Sequence, residues 1–534
     1  MDFSNFSLLY PENLINDVEK RPDIDAFELE ELGLADIFDL KNRELSEFVT
    51  ADPEVMRYRL ETFSDMLEND GIAETLNRLI PILSDILELR RLEIDNGDTY
   101  SYLSSITEIE LYISSIDTLN AGFSALEGKI KGSALSKLAK RISELANSEY
   151  YSELNEKLAE LTNRVRDIKS VTIGVNLDAQ LRPSSAGVLS INSQPFRSGD
   201  VMEKILRLNF KDDEYTCIAE LVPFGKKQNE NQKTALSLAF TSAINDVYKS
   251  SLRSWKKIVQ SYVLENTDFL LNLLPEIEFF VKGTELLKKL KNRGLPLAAP
   301  EIKPMAERAF SAKRIYNPRV ALKAESEIVF NDIAFDENAA IYVLTGPNRG
   351  GKSVITCAVG MAQVMAQLGM FVPAESAALS PVDALFTHFP TGAEDTIDKG
   401  RLGEECARLR DIFDLITESS LVLMDESFSS TGAYEASYIA SEVLRALSHV
   451  GCRCIFSTHL HQLASEVEKL NEEAKSEGGA PLDTLVAAME VGQRSFKIVR
   501  KKPDGQSYAR DIAEKYGITY DDITKNYDNR KEAK

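Results

Sequence analysis

Gly346-Pro347-Asn348-Arg349-Gly350-Gly351-Lys352-Ser353 has the G-x-x-x-x-G-K-[ST] spacing of a loop that wraps phosphates. In such a loop the glycines let backbone N–H groups turn inward around a β-phosphate, Lys352 reaches the β- and γ-phosphates, and the Ser353 hydroxyl ligates Mg²⁺. A second chemical group closes the apolar run Leu421-Val422-Leu423-Met424, which ends in two carboxylates, Asp425 and Glu426. Downstream of a phosphate loop, that pattern assigns Asp425 to hold Mg²⁺, through water or directly, and Glu426 to orient and polarise an attacking water. Taken alone, the same acids read as a solvated strand end; the preceding loop is what favours chemistry. A third run, Cys454-Ile455-Phe456-Ser457-Thr458, ends in His459, the candidate sensor of a γ-phosphate. His461 carries no separate argument, because His-x-His without further ligands of suitable spacing makes no metal site.

These groups need a scaffold whose strands end at one edge. Ile341-Tyr342-Val343-Leu344 reads as a buried strand ahead of the loop, and Ile355, Ala358, Met361, Ala362, Met365 and Leu368 recur at helical spacing before Gly369. After the Pro- and Ala-rich stretch from Gly294 to Pro304, strand and helix patterns alternate, which predicts an α/β domain with a largely parallel sheet. Residues 50 to about 170 are helical by pattern, with Leu76, Leu79, Ile80, Leu83, Ile86 and Leu87 in one stripe and Leu154, Leu158, Leu161, Val165 and Ile168 in another. The period then changes: Val171, Ile173, Val175 and Leu177 alternate with polar residues, and Pro183-Ser184-Ser185-Ala186-Gly187 punctuates before Val188 to Ile191, a hairpin signal. Helical spacing returns from Leu236 to Ile258 and continues past Pro275 to about Lys291. The expected organisation is an N-terminal segment at 1–45, a helical domain at 46–300 with a β insertion at about 171–195, an α/β domain at 301–520 and a charged tail at 521–534.

Among the 534 residues, 43% hydrophobic with 27% charged is a soluble globular balance. The start lacks a basic and then apolar leader, and apolar runs such as Phe269 to Leu274 break quickly, so the expectation is a cytoplasmic protein with no membrane segment. A net charge of −22 excludes coating nucleic acid by overall charge. Any such contact must be local. Arg197, Lys204, Arg207, Lys211, Lys226 and Lys227 are candidates, although interspersed acids make a solvated mixed surface the commoner meaning of such a run. Cys217, Cys357, Cys406, Cys452 and Cys454 form no regular framework and read as reduced core thiols.

Four segments in this order, Thr345 to Ser353 (TGPNRGGKS), Phe371 to Ala377 (FVPAESA), Leu421 to Glu426 (LVLMDE) and Phe456 to Leu463 (FSTHLHQL), resemble the MutS family of ABC-type ATPases. Gly505 to Ala513 with Tyr516-Gly517-Ile518 is similar to the segment that follows that family's ATPase strands, and Asp52-Pro53-Glu54-Val55 with Arg57-Tyr58-Arg59 resembles the start of its helical core. The likeness covers about residues 45–520 and is more specific in the second half. It implies an α/β P-loop (ABC-type) ATPase domain with a mainly α-helical core or lever domain carrying a small β clamp-like insertion, placed at about residues 170–235. It also implies ATP and Mg²⁺ as cofactors, a homodimer, DNA held in the clamp, and a role in mismatch repair or recombination control with a repair or recombination protein as partner.

Several departures bear on that transfer. No motif matches the amino-terminal mismatch reader with its Phe-x-Glu wedge, no nuclease-like extension follows residue 520, and the dimer-stabilising helices at that end are largely missing. Arg349 stands where the family usually has an apolar or small residue. The family's signature Ser-Thr, which touches the partner's γ-phosphate, is replaced in Gly400-Arg401-Leu402-Gly403-Glu404-Glu405. Either Arg401 and the Gly403 amide take over that contact, or the composite site is weakened. The helix itself persists in the spacing of Leu402, Cys406, Leu409, Phe413 and Ile416. The leading reading is an ATP-dependent, clamp-like DNA-binding ATPase. The alternative is a nucleotide-switched protein-interaction ATPase without mismatch recognition. A transporter-type subunit is disfavoured, because an L-S-G-G-Q-like signature and a membrane segment are both absent from the sequence.

Overall fold

The structure, a computed structural model, describes residues 6–14, 21–96, 102–166, 170–180, 183–192, 194, 197–198, 216–217, 267–390, 400–490, 493–503 and 516–525. The chain divides into two compact units, one of Met1–Ser4, Gly71–Gly128 and Ser136–Ile277, the other of Asn5–Asp70, Lys129–Leu135 and Glu278–Lys534.

The first unit is built on long helices, among them Asp70–Asn96, Tyr102–Ser124, Ser133–Ala146 and Glu149–Arg166. Leu76, Leu79, Leu83 and Ile86 are buried as their period predicts, whereas Leu87 is exposed one position round the helix. A Cβ on Gly122 would lie 2.3 Å from Thr75 Oγ1, so two of these helices meet where a larger residue has no room. The Tyr151 hydroxyl donates to Asp117 at 2.8 Å, and Arg90 pairs with the buried Glu108 at 2.7 Å. Strands β1 (Ser170–Leu177) and β2 (Pro183–Asn192) form the expected antiparallel hairpin, with Val171 opposite Ile191 and Gly174 opposite Gly187. Its turn precedes Pro183, because Asp178 Oδ1 accepts from the Gln180 amide at 2.8 Å and starts the reversal there. The Pro183–Gly187 punctuation therefore belongs to the second strand, which Pro can open because the first position needs no N–H. Arg197–Ser198 (β3) pairs in parallel with Thr216–Cys217 (β4). The helical pattern at 236–258 and the candidate basic residues from Lys204 to Lys227 lie outside the described residues.

Among its described residues the second unit holds two sheets. β5 (Glu301–Ile302), β6 (Phe310–Ile315), β7 (Asn331–Phe335) and β9 (Ser376–Leu379) form one, in the order β5-β9-β6-β7. The other contains β8 (Ile341–Thr345), β10 (Leu385–His388), β11 (Leu421–Asp425), β12 (Arg453–Ser457), β13 (Leu482–Glu490) and β14 (Gln493–Arg500), in the order β10-β11-β12-β8-β13-β14. All its pairs are parallel except β13 with β14. Ile341, Val343, Val422, Met424, Cys454 and Phe456 face a core closed by the helices Gly400–Leu415, Ala433–Val450 and His461–Ser476. Leu423 points the other way, toward helix Lys352–Gln367, where a Cβ on Gly360 would come within 2.6 Å of it. Strands covered on both faces read as continuous apolar runs, which is why they were legible as such.

That covered helix also buries two amides. Gln363 Nε2 donates to Gln367 Oε1 at 2.8 Å and to the Ser380 carbonyl at 3.0 Å, and Gln367 Nε2 donates to the Thr50 and Val382 carbonyls, both at 3.0 Å. From Asn5 onward, the segment before residue 45 joins this same unit. Asp23 bridges Ala384 in parallel along the free edge of β10, and Leu32, from the short helix Ala26–Leu32, packs against Gly360. Cys452 and Cys454 are buried thiols as expected, but Cys406 is exposed, because Leu409 and Ile412 are the buried positions of its helix. Among the described residues no helix is long and apolar enough to cross a membrane.

Candidate nucleotide site

The loop 346–351 links β8 to helix Lys352–Gln367 through three positive φ angles, 138° at Gly346, 61° at Arg349 and 95° at Gly351. Gly346 is required by space as well, since a Cβ there would lie 2.7 Å from that of Ala487 on β13. Arg349 is a non-glycine residue in left-handed backbone, and its side chain is exposed. Lys352 is 4% exposed and donates to the carbonyls of Gly346 at 3.2 Å and Pro347 at 3.4 Å. Burial pulls its pKa below the ordinary lysine value, a shift opposed by the charges of Glu426 and then Asp425.

Asp425 ends β11 and pairs with Ser457 of β12, which pairs in turn with Leu344 of β8. Asp425 is 8% exposed, and neither its Oδ1 nor the Ser457 Oγ finds a hydrogen-bond partner among the described residues. Two such buried oxygens side by side, at the strand ends next to the loop, form a donor set that suits a hard cation. Glu426 follows in left-handed backbone, φ 48°, fixed by its amide donating to the Ser457 carbonyl at 2.8 Å.

A cavity of about 410 Å³ adjoins the loop. Arg349, Gly351, Lys352, Ser353 and Glu426 line it, so the structure brings these predicted residues together. It is completed by residues that the sequence did not single out, including Tyr316, Asn317, Val320, Asn331 and Phe496. Phe496 is 46% exposed in left-handed backbone, and its carbonyl accepts from Asn331 Nδ2 at 3.2 Å. Asp425 is not among its lining residues. His459, exposed in a bend just after β12, does not line it either.

The buried histidine beside the acids is a different one. His388 ends β10, is 1% exposed, and has Nδ1 2.7 Å from Ser427 Oγ and Nε2 3.2 Å from the Glu405 carbonyl. Its signal was available in the sequence as an apolar strand run ending in His, Leu385-Phe386-Thr387-His388. Glu405 does not stand free at the helix start, because its carboxylate accepts from the Phe428 amide at 2.5 Å. Burial, aided by the charge of Arg408, pushes the His388 pKa down to about 4, against its ordinary 6.5. The unfolded chain therefore takes up this proton first, and the stability due to neutral His388 is full above pH 6.5 and lost as pH falls toward 4. Urea unfolding at stepped pH should show wild type losing on the order of 3 kcal/mol more than His388→Asn across that window. Parallel curves for the two proteins would contradict this.

Two family models match the chain: MutS domain V over residues 342–526 and the MutS2 N-terminal domain over residues 51–293. The DNA mismatch repair protein MutS of Chlorobium chlorochromatii (strain CaD3) is 34% identical over 210 residues, 38% of this chain and 23% of that protein. The DNA mismatch repair protein Msh6 of Gallus gallus is 41% identical over 131 residues, 24% of this chain and 10% of that one. The MutS of Prochlorococcus marinus (strain MIT 9301) is 35% identical over 149 residues, 28% of this chain and 16% of that one. The chain thus spans less than a quarter of the length of each of these relatives.

Proposed function

The chain belongs to the MutS family, and from that premise we propose that it binds ATP with Mg²⁺ in the loop 346–353 and hydrolyses it to ADP and phosphate. One observation carries the reading: a buried ammonium, Lys352, whose hydrogen bonds among the described residues go to loop carbonyls, lining with the strand-end acid Glu426 a cavity of about 410 Å³. Gly346 and Gly351 allow the loop amides to turn toward phosphate, and Lys352 neutralises it. Ser353 and Asp425 would hold Mg²⁺, whose charge offsets that of the β- and γ-phosphates; the unpartnered Asp425 Oδ1 supports the fit. Glu426 accepts a proton from, and aims, the water that attacks the γ-phosphate. His459 is kept as the candidate γ-phosphate sensor through movement of the exposed bend that carries it. Titration with a fluorescent ATP analogue, alongside phosphate release, tests this; absence of both in the wild-type protein overturns it.

DNA binding and a role in mismatch repair or recombination control extend the proposal, and the relatives named for DNA mismatch repair support it. The hairpin β1–β2 is the clamp element in this reading, and homodimerisation joins two clamps. With a net charge of −22, contact rests on a few local Lys and Arg side chains to phosphates, so affinity falls as salt rises. Val171 and Ile191 are direct partners, so removing residues 172–190 joins two positions already side by side. That deletion should abolish binding to duplex and branched DNA in a gel-shift series while leaving basal ATP turnover unchanged. Retained binding, or no binding by wild type even at low salt, would favour the nucleotide-switched protein-interaction ATPase instead.

A further inference from the structure

We propose that His388 is a positioning residue for hydrolysis, holding the turn that carries Glu426 in register with helix Gly400–Leu415 through the Ser427 hydroxyl; the proposal rests on the ATPase reading above. A carbonyl can only accept, so the 3.2 Å contact to Glu405 O places the proton on Nε2 and leaves Nδ1 to accept from Ser427 Oγ at 2.7 Å. Burial keeps the ring neutral, the state in which Nδ1 accepts from the Ser427 hydroxyl while Nε2 donates to the Glu405 carbonyl. The strand end that carries His388 is tied to the same helix on both sides, because Arg408 donates to the Thr387 carbonyl at 2.9 Å and to the Phe389 carbonyl at 3.3 Å. The helix reaches the turn directly as well, through the Glu405 carboxylate on the Phe428 amide.

The turn needs such support. Glu426 and Phe428 both hold left-handed backbone, φ 48° and 65°, a conformation that L side chains keep when their surroundings over-determine it. Ser427 lies between them, 4% exposed, with its hydroxyl on His388. The Glu426 amide is held from the opposite side by Ser457 O. A displacement of the helix is thereby transmitted to the carboxylate that aims the water, whereas the phosphate loop shares none of these bonds. His388 thus sets turnover and leaves nucleotide affinity alone.

The test compares His388→Ala, Ser427→Ala and His388→Asn, whose side-chain oxygen can accept from Ser427, in the 534-residue chain, measuring ATP-analogue affinity and steady-state ATPase separately. Expected are affinities within about twofold of wild type, kcat lowered on the order of 10-fold to 10²-fold in both alanine variants, and partial recovery in His388→Asn. Ser427→Ala removes a single hydroxyl and decides the matter if His388→Ala does not fold. Unchanged kcat in Ser427→Ala, affinity that falls in step with kcat, or an asparagine variant no better than alanine would each overturn the proposal. A wild-type protein that binds and hydrolyses no ATP fails at the earlier step and sinks both readings, whereas active wild type with active variants sinks this one alone.

Discussion

Lys352→Ala loses ATP binding by about 10²-fold or more, the scale expected when charge-assisted hydrogen bonds to two phosphates disappear. The ammonium is 4% exposed and forms no ion pair among the described residues; two carbonyls of its own loop hold it. Such a group is costly to bury, which its lowered pKa reports, and phosphate is the partner that relieves the cost. Alanine removes the buried charge together with the binding, so the fold should be no less stable. Calorimetric titration with ATP, paired with a thermal melt, separates the two effects. Wild-type affinity in a folded Lys352→Ala protein would refute the site.

Glu426→Gln has the opposite signature. Binding persists or tightens, because one negative charge beside the phosphates is removed, while kcat falls on the order of 10²-fold or more for want of a proton acceptor on the water. Gln has nearly the shape of Glu and can occupy the same left-handed backbone, so the bond from residue 426 to Ser457 O survives. Single-turnover phosphate release with saturating nucleotide is the measurement. Normal release would mean that a different group positions the water, and would redirect attention to His459.

Local chemistry was legible where local pattern carries it. The strand, turn and helix around residues 341–367, the acid-tipped strand at 421–425 and the hairpin at 170–192 all follow from period, glycine placement and run length. What the sequence concealed is long-range. Nothing in Asp23 or Leu32 announces Ala384 and Gly360 as their neighbours, and nothing in Phe496 announces a place beside the phosphate loop. His388 was overlooked because a single histidine at a strand end most often satisfies local packing, and its partner Ser427 becomes visible once β10 and β11 are adjacent. The hairpin turn was misplaced because glycine and proline mark irregular backbone in general, while here an aspartate side chain starts the reversal.

The strap of residues 21–32 along β10 has a consequence for how the body assembles. Glu31 and Arg408 meet at 2.8 Å although 377 residues separate them, and Asp23 pairs beside a strand made long after it. On the ribosome the strap therefore emerges before the β10 edge it docks on, and the helices of the first unit are synthesised in between. Closing so large a loop makes late docking slow and leaves the β10 edge open meanwhile, a time in which another chain can pair with it. Order of synthesis and order of need run in opposite senses here: the residues that cover the β10 edge are made long before it and must wait for it.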